Sequence, residues 1–161
     1  AMLSTWADAD EVDACLYRTE MRNLDRYGYG VKSFMLAMLE TSVEISGGRA
    51  GADVVSSILA LGHDLLDRPT DLIDGITEVL DALADHHLLL ITKGDLRHQL
   101  TRIERSGLAD RFAAIEVVAE KDPRTYAAVL DRHQVPIDDF VMVGTDGRGD
   151  LSSIIEFAIV V

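Results

Sequence analysis

Leu88-Leu89-Leu90-Ile91 runs directly into Thr92-Lys93-Gly94-Asp95. Unbroken apolar residues of this kind predict a strand buried on both faces, the pattern of a parallel sheet. The run stops at a hydroxyl, a cation and a glycine, and a helical pattern begins just after it. In open α/β sheets ligands bind beyond the carboxyl ends of the strands. Thr92, Lys93 and the amide of Gly94 are therefore candidates for a functional edge. Two later strand ends belong with them: Glu120-Lys121 and the loop Gly144-Thr145-Asp146-Gly147-Arg148-Gly149-Asp150.

Around this strand, helices and apolar runs alternate. Ile76, Val79, Leu80 and Leu83 predict a helix before it, and Leu96, Leu100 and Ile103 one after it, closing at Gly107. Ile115–Val118 and Phe140–Val143 read as further strands, and Phe157–Val161 as a fourth. Between the second and third lies a helix opened by Asp122-Pro123. Such alternation implies a parallel sheet with right-handed crossovers. Only Leu151–Glu156 separate Asp150 from the last strand, less than a comfortable crossover.

Residues 10–68 behave differently, because nothing there alternates with the period of a strand. Asp8-Ala9-Asp10-Glu11 offers capping groups ahead of Val12, Leu16 and Leu24. The next stripe is Val31, Phe34, Met35, Met38, Leu39 and Ser42, ending at Gly47-Gly48. A third uses Val55, Ile58, Leu59, Gly62, Leu65 and Leu66, before Pro69. We expect the second stripe to be mostly buried. The domain reading is a helical subdomain over 8–70 and an α/β core over 71–161.

Lys plus Arg number 15 against 28 Asp plus Glu, a net charge of -13. That field repels phosphate backbones, so a nucleic-acid partner is not expected. A small phosphorylated substrate is compatible with it, since local cations or a metal reverse the field at one site. Cys15 is alone, which fits a reducing cytoplasm. No apolar run approaches the roughly 20 residues of a membrane span. The expectation is a cytoplasmic protein with no membrane partner.

The chemistry rests on residue types. Thr92 can donate a hydrogen bond to a phosphoryl oxygen, and Gly94 lets backbone approach an anion, with a helix N-terminus behind it. Taken alone, Lys93-Gly94-Asp95 also reads as a polar strand-to-helix turn. Lys121 precedes a helix cap on the same edge, suited to holding a phosphate, and it also reads as a solvated lysine. Asp146 and Asp150 are hard oxygen ligands suited to Mg²⁺, in a loop that equally reads as a Gly- and Asp-rich turn.

In order and placement these segments resemble the haloacid dehalogenase superfamily, most of whose members are Mg²⁺-dependent phosphatases. The resemblance implies that Thr92 closes the second core strand and that Lys121 lies before a later helix. It also implies an acidic loop, Gly-Asp-x-x-x-x-Asp, after the next strand. Gly144 and Asp150 match the ends of that loop, Thr145 stands where its first acid is usual, and Asp146 comes one place later. The helical region looks like the inserted cap. The implied fold is an incomplete Rossmann-like parallel sheet core with an α-helical cap.

The family's nucleophile is the first Asp of Asp-x-Asp-x-Thr/Val after a buried first strand, and its second Asp is the general acid/base. The lookalike here is Asp8-Ala9-Asp10-Glu11-Val12, preceded by Ala1–Ala7, a poor central strand. Asp8 and Asp10 read either as the catalytic pair or as helix-cap residues. The chain looks like a member lacking its first core strand and nucleophile. The implied activity is hydrolysis of a small phosphorylated metabolite with Mg²⁺, the chain as given being inactive. Two alternatives stay open. One is a catalytically dead interaction module that self-associates through an incomplete sheet. The other is a 2-haloacid dehalogenase, which needs no metal.

Overall fold

Capping and apolar periodicity delimit the first three helices. Asp8 caps α1 (Ala9–Tyr27), its carboxylate accepting the Glu11 amide at 2.9 Å. α2 (Val31–Ser46) ends at Gly47, a left-handed residue that closes the last turn. α3 (Ala52–Asp67) follows. The structure, a computed structural model, describes residues 2–143 and the strand backbone of Phe157–Val160. The chain divides into two compact units, Ala1–Arg68 and Pro69–Val161.

In the first unit α2 packs against both α1 and α3. The expected apolar face of α2 differs from the observed one. Val31, Phe34, Met35, Met38 and Leu39 are half-buried, whereas Ala37, Thr41, Ser42 and Ser46 are buried. On α1 the buried row is Cys15, Thr19 and Asn23, with Val12, Leu16 and Leu24 half-buried beside it. Small side chains let helix backbones approach, so the densest contact falls on them and the long apolar residues flank it. α3 buries Val54, Ile58 and Gly62, spaced four apart, and leaves Val55 and Leu59 exposed. A Cβ at Gly62 would come 2.1 Å from Met35 Sδ, so glycine there is what admits the methionine. Leu3 packs with Val54 and Ile58, and residues 2–6 form turns rather than a strand.

The second unit is built on β1 (His87–Lys93). Leu88, Leu89, Leu90, Ile91 and Thr92 are all at most 4% exposed, as expected of a strand covered on both faces. Leu88 and Leu90 pack on one side with Leu80 of α4 (Ile76–Ala82), Ile103 of α5 (Leu96–Ser106), Leu108 and Phe112. Leu89 and Ile91 pack on the other with Val129 of α6 (Pro123–Arg132). Each such side chain contributes about 2 kcal/mol by leaving water.

β1 pairs in parallel with β2 (Ala114–Val118), from Leu89 opposite Ala114 to Lys93 opposite Val118. Its other neighbour is β4 (Phe157–Val160), which lies between β1 and β3 (Phe140–Val143) in the order β2-β1-β4-β3. β4 is antiparallel to both neighbours, so β1, β2 and β3 share one direction. The all-parallel expectation fails at this strand. An antiparallel return needs no crossover helix, which answers the short connection noted in the sequence. The architecture is α/β: one unit is helical, and the other is built on a mixed sheet whose like-directed strands carry its core. No helix among the described residues is long and apolar enough to cross a membrane.

Candidate functional site

Because β1 and β2 are parallel neighbours, their carboxyl ends meet on one edge of the sheet. β1 delivers Thr92 and Lys93 there, then Gly94 at φ +145°, a conformation open to glycine. Asp95 caps α5, its carboxylate accepting the His98 amide at 3.0 Å. β2 ends at Val118, and Ala119-Glu120-Lys121 follow. Asp122 caps α6 by accepting the Thr125 amide at 2.7 Å. That bond holds its carboxyl below the usual carboxylate range.

The two strand ends are tied directly. Lys93 Nζ lies 3.0 Å from Glu120 Oε2, with the lysine side chain 25% and the glutamate 59% exposed. Lys93 thus already faces a carboxylate. Lys121 is half-buried and follows Glu120 in the segment between β2 and α6. At the start of α5 the Asp95 carboxylate occupies the His98 amide, one of the N-terminal donors of the helix behind Gly94.

Thr92 is 2% exposed, and its hydroxyl donates to Gln99 Oε1 at 3.1 Å. Gln99 is a residue that sequence reasoning passed over, and Glu120 was named there only as part of a strand end. The signal for Gln99 was available. It stands one helical turn before Ile103, the buried residue of α5, on the row that faces inward. By contrast Leu96 is 60% and Leu100 37% exposed, so the face drawn through the leucines was displaced.

Asp8 and Asp10 lie in the helical unit. Asp8 is the α1 cap and Asp10 sits in the first turn. Asp8 also borders an apolar cavity of about 510 Å³ lined by Leu3, Val12, Leu16, Met38 and Thr41. Asp146 and Asp150, the metal candidates, lie outside the described residues with the rest of Gly144–Asp150. Among the described residues no cluster of His, Cys, Asp or Glu could hold a metal ion. The described part of the edge holds one buried hydroxyl, two lysines and glycine backbone, together with the carboxylates of Asp95, Glu120 and Asp122.

Solved structures similar to this chain include a haloacid dehalogenase-like family hydrolase from Xanthomonas campestris. The match has 43% sequence identity and a TM-score of 0.78, and it covers 85% of this chain. The chain belongs to the haloacid dehalogenase superfamily. It spans 58% of the length of that Xanthomonas protein. No family model matches the sequence, and no curated protein does. For a haloacid dehalogenase-like chain, the strand Leu88–Thr92 and the helix opened by Asp122-Pro123 are the parts whose described geometry carries the sequence motifs.

Proposed function

We propose that the edge formed by Thr92, Gly94 and Lys121 binds the phosphoryl group of a small phosphorylated metabolite, as part of a phosphohydrolase of this superfamily. The observation that carries this reading is the joining of two parallel strand ends, with the buried Thr92 hydroxyl on one and Lys121 following the other. Thr92 contributes a hydrogen-bond donor, and Lys121 a compact positive charge. Lys93 supports the edge through Glu120.

Mg²⁺ belongs to the same proposal through Asp146 and Asp150, on the sequence of their loop alone. When bound it would neutralise charge on the phosphoryl oxygens. The chain's own residues position the anion and balance its charge. The covalent step needs a carboxylate nucleophile. Asp8 already accepts a helix amide, and we assign Asp8 and Asp10 to capping. Binding without turnover is therefore the expected behaviour of these 161 residues.

The test is hydrolysis of p-nitrophenyl phosphate with Mg²⁺, by the chain and by Asp8→Asn, run beside calorimetric titration with inorganic phosphate. Phosphate binding that Lys121→Ala weakens, with no turnover in either protein, is the expected result. Robust hydrolysis abolished by Asp8→Asn would make Asp8 the nucleophile. Turnover of a 2-haloacid without metal would replace the phosphatase reading with the dehalogenase one.

A further inference from the structure

We infer that Gln99 is a positioning residue for Thr92, one that decides whether the hydroxyl's single proton faces helix α5 or a bound anion. This deepens the proposed phosphoryl site and rests on it. A threonine hydroxyl has one proton to donate and two lone pairs to accept with. Phosphoryl oxygens are acceptors. In the structure the Thr92 proton is directed to Gln99 Oε1 at 3.1 Å, and with it there Thr92 has nothing to offer an anion.

A carboxamide has two ends of nearly the same shape and opposite hydrogen-bonding character. Turned over about its last bond, Gln99 presents its amide NH₂ to Thr92 Oγ1, occupies a lone pair, and leaves the hydroxyl proton free to point out of the edge. The strand end is shaped around this side chain. A Cβ on Gly94 would lie 2.9 Å from Gln99 Nε2 and 3.4 Å from its Cγ, so glycine at φ +145° leaves the room that the carboxamide occupies. Burial sharpens the choice, since water has little access to a hydroxyl 2% exposed. Glutamate at this position can only accept while ionised, and methionine of similar length neither donates nor bonds strongly. Glutamine alone of the three serves both arrangements.

The experiment is calorimetric titration of the full chain with inorganic phosphate in the presence of Mg²⁺, using wild type, Gln99→Met, Gln99→Glu and Thr92→Val, each with a thermal melt. Gln99→Met is expected to weaken phosphate binding by about tenfold, one good hydrogen bond's worth, with the chain still fully folded at the titration temperature and its melting temperature lowered only by loss of one buried hydrogen bond. Gln99→Glu is expected to be weaker still in mildly alkaline buffer. It should recover, relative to wild type at the same pH, as the new carboxyl protonates and a donor returns to position 99. Wild-type affinity in Gln99→Met, alongside lost binding in Thr92→Val, overturns the role of Gln99 and leaves the phosphoryl site standing. So does a loss of affinity in Gln99→Met that only tracks a fall in melting temperature. Failure of wild type to bind phosphate overturns the phosphoryl site and this inference together.

Discussion

Where α1 meets α2 the buried residues are Cys15, Thr19 and Asn23 on one helix and Ala37, Thr41, Ser42 and Ser46 on the other. Where β1 crosses the sheet they are Leu88, Leu89, Leu90 and Ile91. The helical unit holds its central seam with small and polar groups at close approach, while the α/β unit holds its centre by removing aliphatic surface from water. Each seam has a buried threonine. Thr92 has a hydrogen-bond partner in Gln99. Thr41 Oγ1 has none among the described residues, and the Cys15 thiol nearby is a weak group, pushed up in pKa by burial and by Glu44. Each seam also has an anchored glutamate. Glu40 accepts from Asn23 at 2.9 Å and from Arg22 at 3.0 Å. Glu116 on β2 lies 2.7 Å from His133 Nε2 and also binds Arg132. An apolar centre is tuned by volume, whereas a small polar seam is tuned by whether each polar atom is satisfied.

The largest effect should come from the aliphatic centre. Leu90→Ala should lower the stability of the α/β unit by about 3 kcal/mol, as loss of transfer energy plus an unfilled cavity. Chemical denaturation measures this, and a loss under about 1 kcal/mol would mean that the sheet is loosely packed and the contrast false.

The threonine pair gives smaller effects of opposite sign. Thr41→Val removes a buried hydroxyl without a partner and should raise stability by about 1–2 kcal/mol. Thr92→Val breaks the bond to Gln99 and should lower it by about 1 kcal/mol. Equal signs in the two melts would show that the two hydroxyls do not differ as described.

The smallest effect is that of Glu116, which is also pH-dependent. Burial pushes its carboxyl up, but the bonds and charges of Arg132 and His133 outweigh that and hold it below the usual range. A depressed carboxylate contributes stability that is present above its unfolded pKa and lost as pH falls through its lower folded value. Glu116→Gln should therefore cost under about 1 kcal/mol at neutral pH, with Arg132 mostly exposed. The gap between variant and wild type should close in strong acid. A gap that widens on acidification would reverse the assignment.

The sheet's strands were legible because an apolar run bounded by turn residues has few other uses. The α6 start was legible through the Asp122-Pro123 cap, and the α5 start through the polar turn Lys93-Gly94-Asp95. The seam of α2 was not, because periodicity weighs large apolar residues and the closest contact runs along Ala37 and Thr41. Gln99 was hidden for a related reason. A polar residue between two leucines reads as outward, and here the leucines are the outward ones. The direction of β4 was illegible from composition, since Phe157-Ala158-Ile159-Val160 reads alike either way. Only the length of the connection before it carried information, and it spoke against a crossover. At the edge, strand order was enough to put Thr92 and Lys121 at strand ends, while the Lys93–Glu120 pair needed the register.

The place of β4 between β1 and β3 bears on how the chain folds during synthesis. β1 and β2 can pair as soon as residue 118 has emerged from the ribosome, with α5 between them. Among the described residues β3 has no neighbour but β4 in the sheet, and His87 must wait for Val160. Half of the sheet therefore stays unzipped until residues 157–160 are free. During that interval the open side of β1 presents unpaired backbone, an edge on which wrong pairing with another chain can start.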